Sequence, residues 1–227
     1  FSMPEELQML RDQLRRFVNE EMIPFERQTT EGEKLKPEWR EKFETRAKEL
    51  GLWMMEVPEE LGGLGMGLMA SVVVWEEFAR TIALPARGRA ITGPHVRSNL
   101  FELQGELKEK YLMPALRGEK TACFGQTEPD AGSDPGSMRT TAVRDGDHYV
   151  INGTKRFITG AGDADFIQLM AATDRSKGSR GGISSFLVDM DTPGITLVIN
   201  IDARFDTGDI DLVVQQQLRG IARSHFL

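Results

Sequence analysis

The sequence predicts an α+β chain: an all-α N-terminal domain, then an antiparallel β-barrel-like domain, then a short C-terminal helix. Three observations carry this. Apolar residues recur at three- and four-residue spacing through the first half. After Gly118 the pattern changes to short runs rich in β-branched and aromatic residues, separated by turn dipeptides. A last apolar series, Leu212, Val213, Leu218, Ile221, Ala222 and Phe226, returns to helical spacing. A helical block followed by a strand block argues for two domains. The expected division is 1–118 helical, 119–201 β and 202–227 a short tail, read as a remnant of a further helical domain.

Leu7, Leu10, Leu14, Phe17, Val18 and Met22 define a first helix, interrupted at Pro24. Trp39, Phe43, Ala47 and Leu50 define a second, entered through Pro37 and ended by Gly51 in the left-handed C′ position. Ser71 is the expected cap of a third, running to about Ile82. Thr92–Leu103 and Gly105–Leu112 are expected as two short helices, the second ending before Pro114. The strands expected are Thr121–Thr127, Met138–Arg144, His148–Ile151, Thr154–Thr159, Phe166–Thr173, Ile183–Asp191 and Gly194–Ile201. Asp145-Gly146 and Asn152-Gly153 are expected to form type I′ hairpin turns, which need positive φ at both central residues. Arg175–Gly182 is expected to be a solvated hairpin tip.

Composition excludes several classes. A net charge of −7 gives no broad positive field, so a dedicated nucleic-acid protein is not expected. A single cysteine, Cys123, cannot form an intrachain disulfide, and the three histidines lie too far apart for a sequence-local metal motif. The longest uncharged stretch, Leu61–Trp75, is interrupted by glycines and stops short of the roughly 20 residues of a membrane span. With no leader-like segment at the start, a cytoplasmic protein is expected, or a mitochondrial matrix protein in a eukaryote. Gly65-Met66-Gly67-x-x-Ala70 matches a relaxed dinucleotide fingerprint but lacks a preceding strand, so a flexible turn is the better reading.

Two segments carry more chemistry. In Phe124–Asp134, Thr127 and Ser133 offer hydroxyls and Gly132 allows close approach of an anion to backbone N–H groups. Pro129 stiffens the bend and Asp134 can cap it. On spacing alone this is as well read as a polar loop between strands. In Asn152–Thr159, alternation puts Phe157 and Thr159 on one face of a strand. The plainer reading there is a core aromatic beside a surface threonine.

Together these segments resemble the acyl-CoA dehydrogenase family. Thr127–Asp134 follows that family's T-E-P-x-A-G-S-D signature and Asn152–Thr159 its N-G-x-K-x-x-I-T companion. Val57-Pro-Glu-Glu-Leu-Gly-Gly63 looks like its P-E-x-x-G-G turn. Met138–Ala142, Gly182–Val188 and Asp191–Gly194 fit its β-domain pattern, and the likeness runs over about residues 3 to 200.

The resemblance implies a flavoprotein oxidoreductase of fatty acid metabolism. FAD would lie between the β and helical domains, and the Cα–Cβ bond of an acyl-CoA thioester would be oxidised. A carboxylate takes the α-proton and flavin N5 receives the β-hydrogen as hydride. The residues implied at the cofactor are Phe124, Gln126, Thr127, Gly132, Ser133, Phe157, Ile158 and Thr159, with Ser133 also meeting the CoA arm. Phe157 would shield one flavin face, where many relatives carry tryptophan. An electron-transfer flavoprotein or other acceptor and a homodimer or homotetramer are implied as well. Gln126 departs from the family, which often has a small apolar residue there. No glutamate lies between Ile201 and Leu227, where the family's catalytic base is expected, and Asp202, Asp206, Asp209 and Asp211 fit no family pattern. The base is therefore unassigned. An alternative makes the chain a truncated form or a non-catalytic subunit completed by a partner chain.

Overall fold

The structure, a computed structural model, describes residues 3–32, 34–84, 91–200, 209–218 and 222–224, with backbone only for 199–200, 209–218 and 222–224. It divides into two units, Phe1–Glu102 and Leu103–Leu227.

In the first unit, helix α1 (Glu5–Phe17) turns Leu10, Leu14 and Phe17 inward, with Glu5 and Glu6 in its first turn and Arg15 and Arg16 in its last. That charge order suits the helix dipole. The chain then makes a π-helical turn, Val18–Met22, closed by the Ile23 N–H on the Val18 carbonyl, and only afterwards meets Pro24. A proline ring clashes with the carbonyl four residues back; the wider turn displaces that carbonyl, and the chain passes the proline in a 3₁₀ turn, Ile23–Phe25. A short α2 (Glu26–Thr29) and a two-stranded ribbon, β1 (Thr30–Glu31) with β2 (Lys34–Leu35), lead to α3 (Pro37–Glu49). Pro37 opens α3 and Gly51, at φ +68°, ends it, as the sequence predicts.

Helix α4 (Gly67–Phe78) starts four residues before Ser71. Ser71 is inside the helix, its hydroxyl donating to the Gly67 carbonyl at 3.3 Å, so it is not the cap. Residues 92–103 form one 3₁₀ turn, Ser98–Leu100, and no longer helix. Met54 N–H bonds the Thr92 carbonyl at 2.6 Å, and a Cβ on Gly93 would stand 3.1 Å from Met54 N, so this segment is held against the Met54 backbone instead. The core gathers Leu14, Val18, Met22, Phe43, Ala47, Val73 and Phe78, with Phe17 edge-on to Phe43 and Phe78.

Glu77 is a buried carboxylate, bonded by Arg15 at 2.6 Å and Arg80 at 2.8 Å. Burial alone would raise its pKa, but the two arginine hydrogen bonds outweigh it and hold the carboxyl below the usual range. A folded-state pKa depressed in this way contributes stability above the unfolded value, lost as pH falls through the folded one. Glu77→Gln is expected to cost about 1 kcal/mol at pH 7, reduced by the exposure of both arginines. The deficit should shrink in urea melts repeated near pH 3.

The second unit begins with a helical stretch, α5 (Gly105–Leu107), a π-helical turn (Lys108–Leu112) and α6 (Met113–Leu116). It passes Pro114, where the sequence suggested an end. The same device appears as at Pro24: Met113 N–H closes on the Lys108 carbonyl just before the proline. Tyr111 packs on Phe166 at 4.8 Å and Lys110 pairs with Asp189 at 2.6 Å, seating this stretch on the sheet.

The sheet strands are β3 (Ala122–Gly125), β4 (Thr141–Asp145), β5 (His148–Lys155), β6 (Phe166–Ala172), β7 (Ile183–Asp189), β8 (Ile195–Asn200), β9 (Asp209–Leu218) and β10 (Ala222–Ser224). Their order is β10-β7-β6-β4-β5-β9-β8, with β3 also on β6. Three expectations are corrected here. Among the described residues the sheet is mixed and does not close into a barrel: β3 and part of β4 run parallel to β6, and β8 does not pair with β10. The C-terminal helix is replaced by β9, between β5 and β8, and by β10 on β7. Asp209-Ile210-Asp211-Leu212 has the two-residue alternation of a strand, and β9 satisfies an edge of β5 that would otherwise lie unpaired. Asp202 and Asp206 lie outside the described residues.

The turns also differ from those the dipeptides predict. β5 runs straight through Asn152-Gly153, paired there with Gln215 and Val214. A Cβ on Gly153 would stand 2.6 Å from Thr140 Cα, so glycine is required by crowding, not by a turn. The β4–β5 hairpin does form, but Gly146 and Asp147 are its central residues, and the positive φ falls on Gly146 and not on Asp147. That is the II′ pattern, one residue on from the predicted dipeptide. Arg175–Gly182 is the β6–β7 hairpin tip, as expected.

Candidate functional site

β3 brings the first motif segment in. It lies parallel to β6, Phe124 opposite Gln168 and Gly125 opposite Leu169. Cys123 and Gly125 face the core, where a Cβ on Gly125 would stand 2.6 Å from Ile167 Cδ1. Burial pushes the Cys123 thiol up to about 12, so it remains an unreactive packing group. Beyond Gly125 the chain leaves the sheet through half-buried Gln126 and Thr127. Glu128 and Ala131 close a tight turn at 2.8 Å, and Gly132, Ser133 and Asp134 follow on the surface. Asp134 Oδ1 accepts from Gly136 N–H at 2.9 Å, the cap the sequence predicts.

The second motif segment is the end of β5. The strand stops at Lys155, short of the predicted Thr159, and Phe157 takes φ +59°. A left-handed backbone on a non-glycine residue costs about 1–2 kcal/mol and is typical of functional sites. Inside–outside alternation survives the bend: Phe157 and Thr159 are exposed, while Ile158 is buried with Cys123, Ile151, Ile167 and Leu169. Phe157 and Thr159 are thus both solvent-facing, beyond the strand on which the expected alternation rests, and the Ile158 side chain belongs to the core. The Arg156 guanidinium sits 5.1 Å from the Phe157 ring centre.

The two segments meet. Arg156 N–H donates to the Thr127 carbonyl at 2.8 Å. Beneath that bond, Lys155 Nζ donates to Glu128 Oε1 at 2.8 Å and to the Gln126 carbonyl at 3.1 Å. The Glu128 carboxylate also accepts the backbone N–H of Arg139 at 2.6 Å and of Thr140 at 2.9 Å. Lys155 is fully buried and Glu128 nearly so. Burial lowers the Lys155 pKa more than Glu128 raises it. At Glu128 burial acts upward, but the Lys155, Thr140 and Arg139 bonds win and hold the carboxyl low. Glu128 is thus a fixed anion.

Neither Glu128 nor Lys155 is among the residues the sequence suggests. The available signal is Lys155 itself: residues 151, 153 and 155 share a strand face, and Ile151 on that face is fully buried. A lysine at a core-facing position implies a buried counter-charge.

What this arrangement can hold follows from its groups. Backbone amides of an edge strand, two threonine hydroxyls and an exposed aromatic ring suit a flat heterocycle with a hydrogen-bonding edge. Among the described residues, no three His, Cys, Asp or Glu side chains gather as a metal site, and no helix is long and apolar enough to cross a membrane.

Comparison with known proteins agrees with this layout. Residues 4–119 match the N-terminal domain and residues 123–205 the middle domain of acyl-CoA dehydrogenases. The mitochondrial short-chain specific acyl-CoA dehydrogenase of Mus musculus is 38% identical over 200 residues, 86% of this chain and 46% of that protein. The structure of glutaryl-coenzyme A dehydrogenase in its glutaryl-CoA complex is 32% identical, with a TM-score of 0.69 over 96% of this chain and 55% of the other. That of the Mycobacterium smegmatis glutaryl-CoA dehydrogenase in complex with FADH2 is 27% identical, with a TM-score of 0.68 over 95% and 54%. The chain spans about half the length of the curated relatives it matches. With both domain models matched in order, the chain belongs to the acyl-CoA dehydrogenase family.

Proposed function

We propose that this chain provides the N-terminal and middle-domain part of an FAD-dependent acyl-CoA dehydrogenase, oxidising the Cα–Cβ bond of an acyl-CoA thioester. The observation that carries the reading is the Arg156–Thr127 bond, which sets the hydrogen-bonding loop beside the segment bearing Phe157 and Thr159. FAD, when bound, supplies the two-electron acceptor. Backbone groups from Phe124 to Gln126 and the Thr127 hydroxyl meet its pyrimidine edge. Phe157 would shield one ring face from water, and the Thr159 hydroxyl would hydrogen-bond near N5. Ile158 contributes through its backbone, since its side chain is in the core. Gly132 and Ser133 meet the flavin and the CoA arm. The half-buried Gln126 puts an amide where relatives often have an apolar residue, which makes the flavin's surroundings more polar.

Glu128 is not the base. A base needs a pKa near the working pH, and this carboxylate is held low and spends its lone pairs on three donors. Of the division proposed from sequence, the boundary at 118/119 follows the change from helices to strands, whereas residues 209–218 and 222–224 of the proposed 202–227 tail are strands of the same sheet. We also place the protein in the cytoplasm, or in the matrix of a mitochondrion, as a homodimer or homotetramer passing electrons to an electron-transfer flavoprotein or similar acceptor. Native mass tests the oligomer.

The activity is tested by offering acyl-CoA thioesters of different chain lengths to the full-length protein with an artificial electron acceptor. Enoyl-CoA formation is expected; no bound flavin and no turnover would contradict the reading. Phe157→Gly is a sharper probe. It relieves the left-handed backbone, so flavin-free protein should melt at the wild-type temperature or slightly above it. FAD affinity should nevertheless fall by about tenfold, roughly 1.4 kcal/mol, as measured by flavin fluorescence.

A further inference from the structure

We propose that the buried Glu128–Lys155 pair is the positioning element of the flavin site, fixing the spacing between the Gln126–Thr127 segment and the Phe157–Thr159 segment. The inference rests on the flavin reading above. Glu128 directly follows Thr127, and Lys155 lies two residues before Phe157. Their 2.8 Å hydrogen bond therefore spans the two halves of the site at its base.

The pair gathers more than its own two segments. One ammonium holds both Glu128 and the Gln126 carbonyl, and one carboxylate also holds the backbone of Arg139 and Thr140. Three stretches of chain converge: the loop after β3, the end of β5 and the entry to β4. A well-packed apolar pair serves stability as well as a buried ion pair does, because desolvation cancels much of the attraction. Apolar contacts are non-directional. Four hydrogen bonds of 2.6–3.1 Å are directional and fix the register of the segments they join.

Two neighbouring features leave this node little slack. Gly153 is packed so closely on Thr140 that a Cβ would stand 2.6 Å from Thr140 Cα. The unfavourable backbone of Phe157 is pinned on both sides, by Lys155 and the Arg156–Thr127 bond before it and by buried Ile158 after it. Strain of that kind persists only where the surroundings over-determine it. The pair touches neither the flavin nor the substrate in this scheme. It acts through Thr127 and Phe157.

The test is the paired variant Glu128→Gln with Lys155→Met in the full-length protein, which removes both charges together. The expected result is a cooperatively folded protein whose FAD dissociation constant rises at least about tenfold, and whose bound flavin absorbs more like free flavin. A folded paired variant with wild-type affinity and wild-type flavin spectrum overturns the proposal. Hydrogen exchange in the wild-type protein decides the matter independently if the variant does not fold. The Arg156 and Thr140 amides should be protected before FAD is added and no better protected after it. Rapid exchange at both until FAD arrives overturns the proposal. If wild-type protein fails to bind FAD, the flavin reading itself falls and takes the positioning role with it. Wild-type binding with an indifferent paired variant removes the positioning role alone.

Discussion

Replacing Lys155 alone with alanine is expected to cost about 3–5 kcal/mol of stability, the range for breaking one side of a buried ion pair. The loss comes mainly from what stays behind. Glu128 would keep two backbone N–H donors but lose its counter-charge in a site closed to solvent. Burial, the upward influence on its pKa, would then act with less opposition. The carboxyl of the variant should accordingly protonate at milder acidity than that of the wild type, and protonation removes the uncompensated charge. The deficit at pH 7 should therefore shrink as the pH is lowered, seen in denaturant melts of both proteins across the acid range. A loss below about 1 kcal/mol, the same at every pH, is the behaviour of a solvated surface pair and would contradict the buried node. The paired variant should lose much less stability than Lys155→Ala, because it leaves no lone charge.

Gly153→Val is the second large effect expected, about 1–3 kcal/mol from overpacking. Its Cβ would press on the backbone and side chain of Thr140. Adding Thr140→Ala should recover only part of the loss, since the backbone of residue 140 would still crowd the new side chain, its Cα only 2.6 Å from the added Cβ. Asn152→Ala gives the contrast. Asn152 is an exposed strand residue, so the change should stay within about 0.5 kcal/mol. A substantially larger cost at Asn152 would restore the hairpin the dipeptide suggests.

The Asn152-Gly153 pair shows where local reading stops. Turn dipeptides report backbone permissiveness, and a glycine needed for close approach looks the same in sequence as one needed for positive φ. The helices α1 and α3 are legible because each has one apolar face and a clear end, Gly51 in the second case. Pro24 does interrupt the first helix, but Pro114 misleads, because a π-turn before it accommodates it, and nothing local announces a π-turn. The tail misleads for another reason. Leu212, Val213 and Leu218 fit a helical period, yet the strand is decided by its pairing with β8 just before it and with β5, which is far away in sequence.

The candidate site divides in the same way. Thr127, Phe157 and Thr159 are legible as residues because their motif segments are distinctive, and the fold sets those segments side by side. Ile158 is the member of the segment whose side chain the core takes, leaving only its backbone exposed to a ligand. The bond network joining the segments is not legible from composition. Glu128 and Lys155 are ordinary surface residues by type, and only the inward phase of β5 marks Lys155 as unusual. Burial of charge is a tertiary property, and it is also what holds this site in shape.

The central claim is that the Gln126–Ser133 loop and the Phe157–Thr159 segment together form a flavin-binding surface. It is tested most directly by titrating flavin-free, full-length protein with FAD and following flavin fluorescence. Saturable binding is predicted for the wild type, with about tenfold weaker binding for Phe157→Gly at unchanged thermal stability. Absence of saturable binding, or equal affinity in the two proteins, would contradict it.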